Sequence, residues 1–192
     1  MDAQPTPTFS ALIRIGQIIT FALIQGLILI AAVMTYLTLS SADQRETVAQ
    51  ELAAEEREPA GAGDLVLPGI ATAFTAISLA AAFFLPPTIR KAAVQRFRAE
   101  QPGGFTVPDG DDPIEGPMRY LSGGDQAARI VTSAIFEGVG VMGSILMMLQ
   151  GDLLFLIFPA IGIAGIASQF PTLTKVQDWM RQIANQPASL PS

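Results

Sequence analysis

Uncharged runs alternate with polar segments along this chain: about Ile15 to Leu39, Leu65 to Leu85, Ile130 to Leu149 and Leu153 to Ser168 are apolar almost throughout. A helix rises about 1.5 Å per residue and needs roughly 17 to 25 residues to cross the hydrocarbon core of a bilayer. Three of the segments reach that length, and the fourth does so by borrowing Gln169 and Phe170. Within lipid each span must satisfy its own backbone, which makes every one of them a helix. Between the third and fourth, only Gln150, Gly151 and Asp152 remain. Gly151 suits a helix C-cap and Asp152 an N-cap, so these two spans form a tight hairpin.

The polar segments fill in the organisation. Residues 40–64 form an acidic loop that reads as a short polar helix ended by Pro59 and a Gly/Ala linker. After the second span, "TIRKAAVQRFRAE" extends as helix and breaks at Pro102-Gly103-Gly104, which opens a linker over 92–126 expected to be partly disordered. Its "VPDGDDPIEGP" stretch has clustered aspartates but lacks the spacing and terminal Glu of a calcium loop, and reads as an acidic turn. In the tail, 176–192, Val176, Trp179, Met180 and Ile183 fall on one helical face, predicting an amphipathic helix in the headgroup layer. The first span has no basic cluster before it and is longer than the apolar core of a signal peptide, so it is expected to stay as a span.

An internal correspondence refines this picture. "IITFALIQGLILIAAVMTYL" lies over "IVTSAIFEGVGVMGSILMML" without a gap, matching Gly26 to Gly138 and placing Gln25 on Glu137. Pro87-Thr88-Ile89-Arg90-Lys91 likewise parallels Pro171-Thr172-Leu173-Thr174-Lys175. The predicted fold is therefore an all-α polytopic membrane protein with four transmembrane helices. They form two duplicated hairpins, 1–91 and 127–175, in a parallel pseudo-two-fold arrangement.

Composition agrees with spans and loops: 50% of the 192 residues are hydrophobic and only 15% charged, against roughly a quarter in soluble domains. Arg90, Lys91, Arg96, Arg98 and Arg119 gather between the second and third spans, whereas the acidic loop has only Arg45 and Arg57. By the positive-inside rule both termini and the middle linker are cytoplasmic, in a bacterial-type inner membrane. A net charge of −6 argues against nucleic acid as a partner. Cysteine and histidine are absent, and no nucleophile with a base or phosphate loop stands out, so catalytic residues, cofactors and metal sites are not expected. At the predicted membrane edges Arg14, Arg129 and Trp179 read as interfacial anchors.

The candidate chemistry is one acid inside a span, Glu137. Insertion scales put a central carboxylate at roughly 2.5 to 3.5 kcal/mol, so its position calls for a reason. Helical spacing groups it with Ser133, Gly140, Val141 and Ser144 on a small, weakly polar face suited to helix packing. Matching small faces are Gly69, Ala73, Ala76 and Ala80 in the second span and Ala160, Ala164 and Ser168 in the fourth. Three roles are open to Glu137: a proton or monovalent-cation site, a hydrogen bond to Gln25 that locks helix pairing, or pairing with a basic residue of another subunit. Ile135-Phe136-Glu137 followed by Gly140 and Gly143 resembles the ion-carrying helix of the proteolipid (c-type) subunits of rotary ATPases, over about 15 residues. That resemblance implies an ion-binding carboxylate at Glu137. The long linker and the Ala-rich second span depart from that family. The expectation is a non-enzymatic assembly, accessory or scaffold component whose partners are the bilayer and either a homo-oligomer or other membrane subunits. The alternative is a proton- or sodium-linked channel, carrier or proteolipid-like subunit.

Overall fold

A computed structural model describes residues 8–42, 47, 63–101, 105–114 and 116–185. Most of the predicted acidic loop falls outside the described residues. Those described are overwhelmingly helical and, apart from an isolated bridge between Thr8 and Pro113, contain no extended pairing. The helices are α1 (Phe9–Ser40), α2 (Gly63–Glu100), α3 (Met118–Gln150), α4 (Ile157–Ser168) and α5 (Leu173–Asn185). A short 3-10 turn, Leu153–Leu156, precedes α4.

Three helices are long and apolar enough to cross a membrane: Phe9–Ser40, Pro68–Glu100 and Met118–Gln150. The fourth predicted span is shorter. It comprises the 3-10 turn and α4, and it meets α5 at a bend of 63°, so three or four segments have spanning character among the described residues. The hairpin turn forms as its residue types dictate. Gly151 takes φ +74° and donates its N–H to the Met147 carbonyl, and Asp152 accepts from the Leu154 N–H at 2.8 Å.

Contacts divide the chain into two compact units, to both of which α1, α2 and α3 contribute. The first collects the described parts of Met1–Ala22, Phe83–Ser133 and Gln169–Ser192. It holds a hydrophobic core of Phe9, Ile13, Phe97, Ile114, Leu121 and Met180, extended by Val176 and Ile183. The apolar face of α5, predicted to lie on lipid, is buried against protein: Met180 is wholly covered, and Val176 and Ile183 nearly so. Described residues of the linker, expected to be partly disordered, also contribute to this core, with Ile114 fully buried and Phe105 edge-on to Phe97.

Backbone bonds explain that order. The first N–H groups of α1 have no partner inside the helix, and Phe9 and Ser10 donate to the carbonyls of Asp112 and Gly110. The Gln177 amide donates to the Pro108 carbonyl, and Arg119 Nε to that of Ile114. Backbone carbonyls of the linker thus cap the start of α1 and hold the Gln177 side chain of α5.

The second unit comprises the described parts of Leu23–Ala82 and Ala134–Ser168. Its packing rests on glycines where α4 meets α3: a methyl group added at Gly162 would stand 2.7 Å from the Phe136 carbonyl oxygen and 3.2 Å from Gly140 Cα. Leu27 of α1 is fully buried against the same two glycines. The small faces predicted for two spans are turned outward. Gly69, Ala73, Ala76 and Ala80 are exposed, while Ala71, Thr75 and Ser78 are buried. In α4, Ala160, Ala164 and Ser168 are exposed, while Pro159, Gly162 and Ile166 are buried. Alanine is apolar enough to face lipid, whereas hydroxyls and closely approached glycines gain from facing protein.

Candidate functional site

The polar groups of the first unit converge on Asp125, a residue the sequence reading passed over. Asp125 is 3% exposed and both its oxygens are engaged. Oδ1 accepts from Arg90, with Nη2 at 2.8 Å and Nε at 2.9 Å, and Oδ2 accepts from Arg129 Nε at 2.7 Å. Arg90 reaches in from α2, and Arg129 stands one turn further along α3, at the i,i+4 spacing that helices use for ion pairs. Helix approach makes this geometry possible: the Ala93 methyl lies where a side chain on Gly124 would stand. Arg129 also donates from Nη1 to the Gln169 carbonyl at 3.0 Å, just past the last turn of α4, where carbonyls lack helical partners.

Arg129 was expected among the phosphates of the interface. Its side chain is instead 12% exposed and held by Asp125. An acid one turn away offers stronger pairing in a partly desolvated setting than a screened headgroup does. Arg14 is exposed, whereas Trp179 packs partly buried on the core with the Arg90 guanidinium 5.9 Å from its ring centre. Gln17 donates to the Pro171 carbonyl at 3.0 Å. Gln17 and Arg129 thus both donate to carbonyls of the α4–α5 connection.

Beside this network lies a cleft of about 40 Å³ between the Phe9–Thr20 stretch of α1 and the Ser122–Ser133 stretch of α3. Phe9, Leu12, Ile13 and Ile19 supply one wall, and Asp125, Gln126, Arg129 and Ser133 the other. Asp125, Ser122 and Thr20 have their polar atoms committed within the protein. Ser133, 2% exposed, and the half-buried Gln126 make no side-chain hydrogen bond among the described residues.

In the second unit Glu137 is half-buried, and among the described residues it makes neither a hydrogen bond nor an ion pair. Gln25, its counterpart in the first span, is exposed, and no hydrogen bond joins the two. Of the neighbours grouped with Glu137 by spacing, Gly140 is buried and Ser144 fully so, its hydroxyl bonded to the Gly140 carbonyl at 2.9 Å. Gly138 is half-buried, with Phe74 the nearest group to a side chain built there at 3.9 Å, and Gly26 has nothing within 4 Å. Glu137 therefore sits at the margin of a packed face without a partner of its own among the described residues.

Asp125 was legible in one respect: an acid four residues before an arginine at the edge of a span, with a second arginine at the end of another. The comparison of charged positions across spans, and not within one helix, would have found it. Searches with the chain return no matching family model, curated protein or solved structure.

Proposed function

We propose that this chain is a non-enzymatic component of a membrane assembly that acts through helix contacts, with Glu137 at a contact made to another subunit. The observation that carries this reading is the state of Glu137: half-buried in an apolar helix, with no partner among the described residues. A carboxylate at such a depth gains several kcal/mol from an external donor or cation, so a partner helix has a site to meet. The sparse burial of two spans supports it, since only 11% of the most apolar window is covered in Phe9–Ser40 and in Pro68–Glu100. The charged groups of the first unit support it differently: Asp125, Arg90 and Arg129 are engaged with one another and hold the fold.

The same unpartnered carboxylate favours a second reading, in which Glu137 carries a proton or a monovalent cation. Parallel duplication of the hairpins is part of the proposal and rests on the sequence correspondence. So does an inner-membrane location with both termini cytoplasmic, which rests on the distribution of Lys and Arg.

Reaction with a hydrophobic carbodiimide separates the two readings. An ion site is labelled faster as pH falls and is protected by the competing cation. A contact site is protected by assembly and insensitive to sodium, and it becomes reactive when the assembly is dispersed. Labelling of the intact assembly that sodium suppresses would exclude the contact reading.

A further inference from the structure

We propose that the cleft between α1 and α3 binds the phosphate of an anionic phospholipid. Two guanidinium groups face one carboxylate in the adjoining network, so the cluster carries net positive charge where the cleft is polar. Two side chains there lack partners: the Ser133 hydroxyl and the Gln126 amide make no hydrogen bond among the described residues. Ser133 is the most telling, because its residue is 2% exposed while no sealed side-chain polar atom is left without a partner among the described residues. Its hydroxyl is therefore reached from the cleft.

Size restricts what enters. About 40 Å³ admits roughly two or three water-sized groups. The non-bridging oxygens of a phosphodiester fit, and a nucleotide or sugar does not. The opposite wall, with Leu12, Ile13 and Ile19, suits a hydrocarbon chain, and Ile15 and Ile18 continue the apolar surface of α1 outward. An oxyanion with an attached chain matches both walls, whereas free phosphate matches one. Lipid headgroups also stand at the height of a span's basic end, where Arg90, Lys91 and Arg129 lie, and basic pockets between spans commonly take anionic headgroups.

The site is independent of Glu137, so its test does not depend on the assembly reading. The full-length protein in a neutral detergent is mixed with equimolar phosphatidylglycerol and phosphatidylcholine, and lipid retention is read by native mass spectrometry. Phosphatidylglycerol is retained about tenfold over phosphatidylcholine, and Gln126→Glu, which places a negative charge in the cleft, removes that preference while lipid-free Tm stays unchanged. Ser133→Ala, a smaller change that decides the matter if Gln126→Glu fails to fold, lowers retention roughly threefold. Equal retention of the two lipids by the wild type, or a preference that survives both substitutions, overturns the proposal. Displacement of the lipid by millimolar inorganic phosphate overturns the assignment to a lipid source.

Discussion

At the residue scale, two acids with opposite circumstances define the molecule. Asp125 is buried and fully bonded, whereas Glu137 is half-buried and unpartnered among the described residues. Removing one member of a buried ion network strands the others. Asp125→Ala is thus expected to destabilise by about 3 kcal/mol, the low end for such losses because the Arg90 side chain remains 30% exposed. Unfolding in a denaturing detergent, compared with wild type, measures it, and an unchanged midpoint would show that the network does not hold α2 to α3. Glu137 stood out in the sequence because a charge in an apolar run is conspicuous. Asp125 did not, because near a span's end an acid among arginines is ordinary, and only the fold brings Arg90 within reach.

At the scale of elements, the apolar periodicity located the spans but not their inward faces. A hydrophobic pattern distinguishes faces when one of them is wet, yet for a helix between lipid and protein both are apolar. The small-residue rule then failed for α2 and α4, where Gly69 and Ala160 face outward and Thr75 and Gly162 inward. The tail helix misled for the converse reason. An amphipathic face reads alike whether lipid or a protein core covers it, and in α5 the cover is Phe9, Phe97 and Leu121. Backbone proximity makes a sharp contrast testable. Gly162→Ala forces a methyl against the Phe136 carbonyl and is expected to cost about 2 kcal/mol, while Gly26→Ala, with nothing within 4 Å, is neutral or slightly stabilising through helix propensity. Thermal scans of the two purified variants check this, and equal Tm values would refute the tight α3–α4 contact.

For the whole molecule, the helices of spanning length and the α3–α4 hairpin turn were readable because both follow from local chemistry: uncharged length in one case, a glycine and an aspartate at a helix break in the other. The first unit was not readable. Its core joins residues from both ends of the chain to a Pro/Gly-containing linker, contacts that no local pattern announces. Polar and apolar contacts together hold this unit, and α1 and α2 carry exposed large apolar side chains such as Phe21, Ile28, Ile77 and Phe83. Such faces suit lipid, and in an assembly they also suit neighbouring helices. The central claim is that Glu137 meets another subunit there. The most direct test is the mass of the protein extracted from its own membrane in polymer-bounded nanodiscs, for wild type, Glu137→Gln and Glu137→Leu. The account predicts a complex well above the chain's 20.3 kDa for wild type and Glu137→Gln, which keeps a hydrogen-bonding side chain, and dissociation for Glu137→Leu. A single chain of 20.3 kDa in all three, or a complex indifferent to Glu137→Leu, would contradict it.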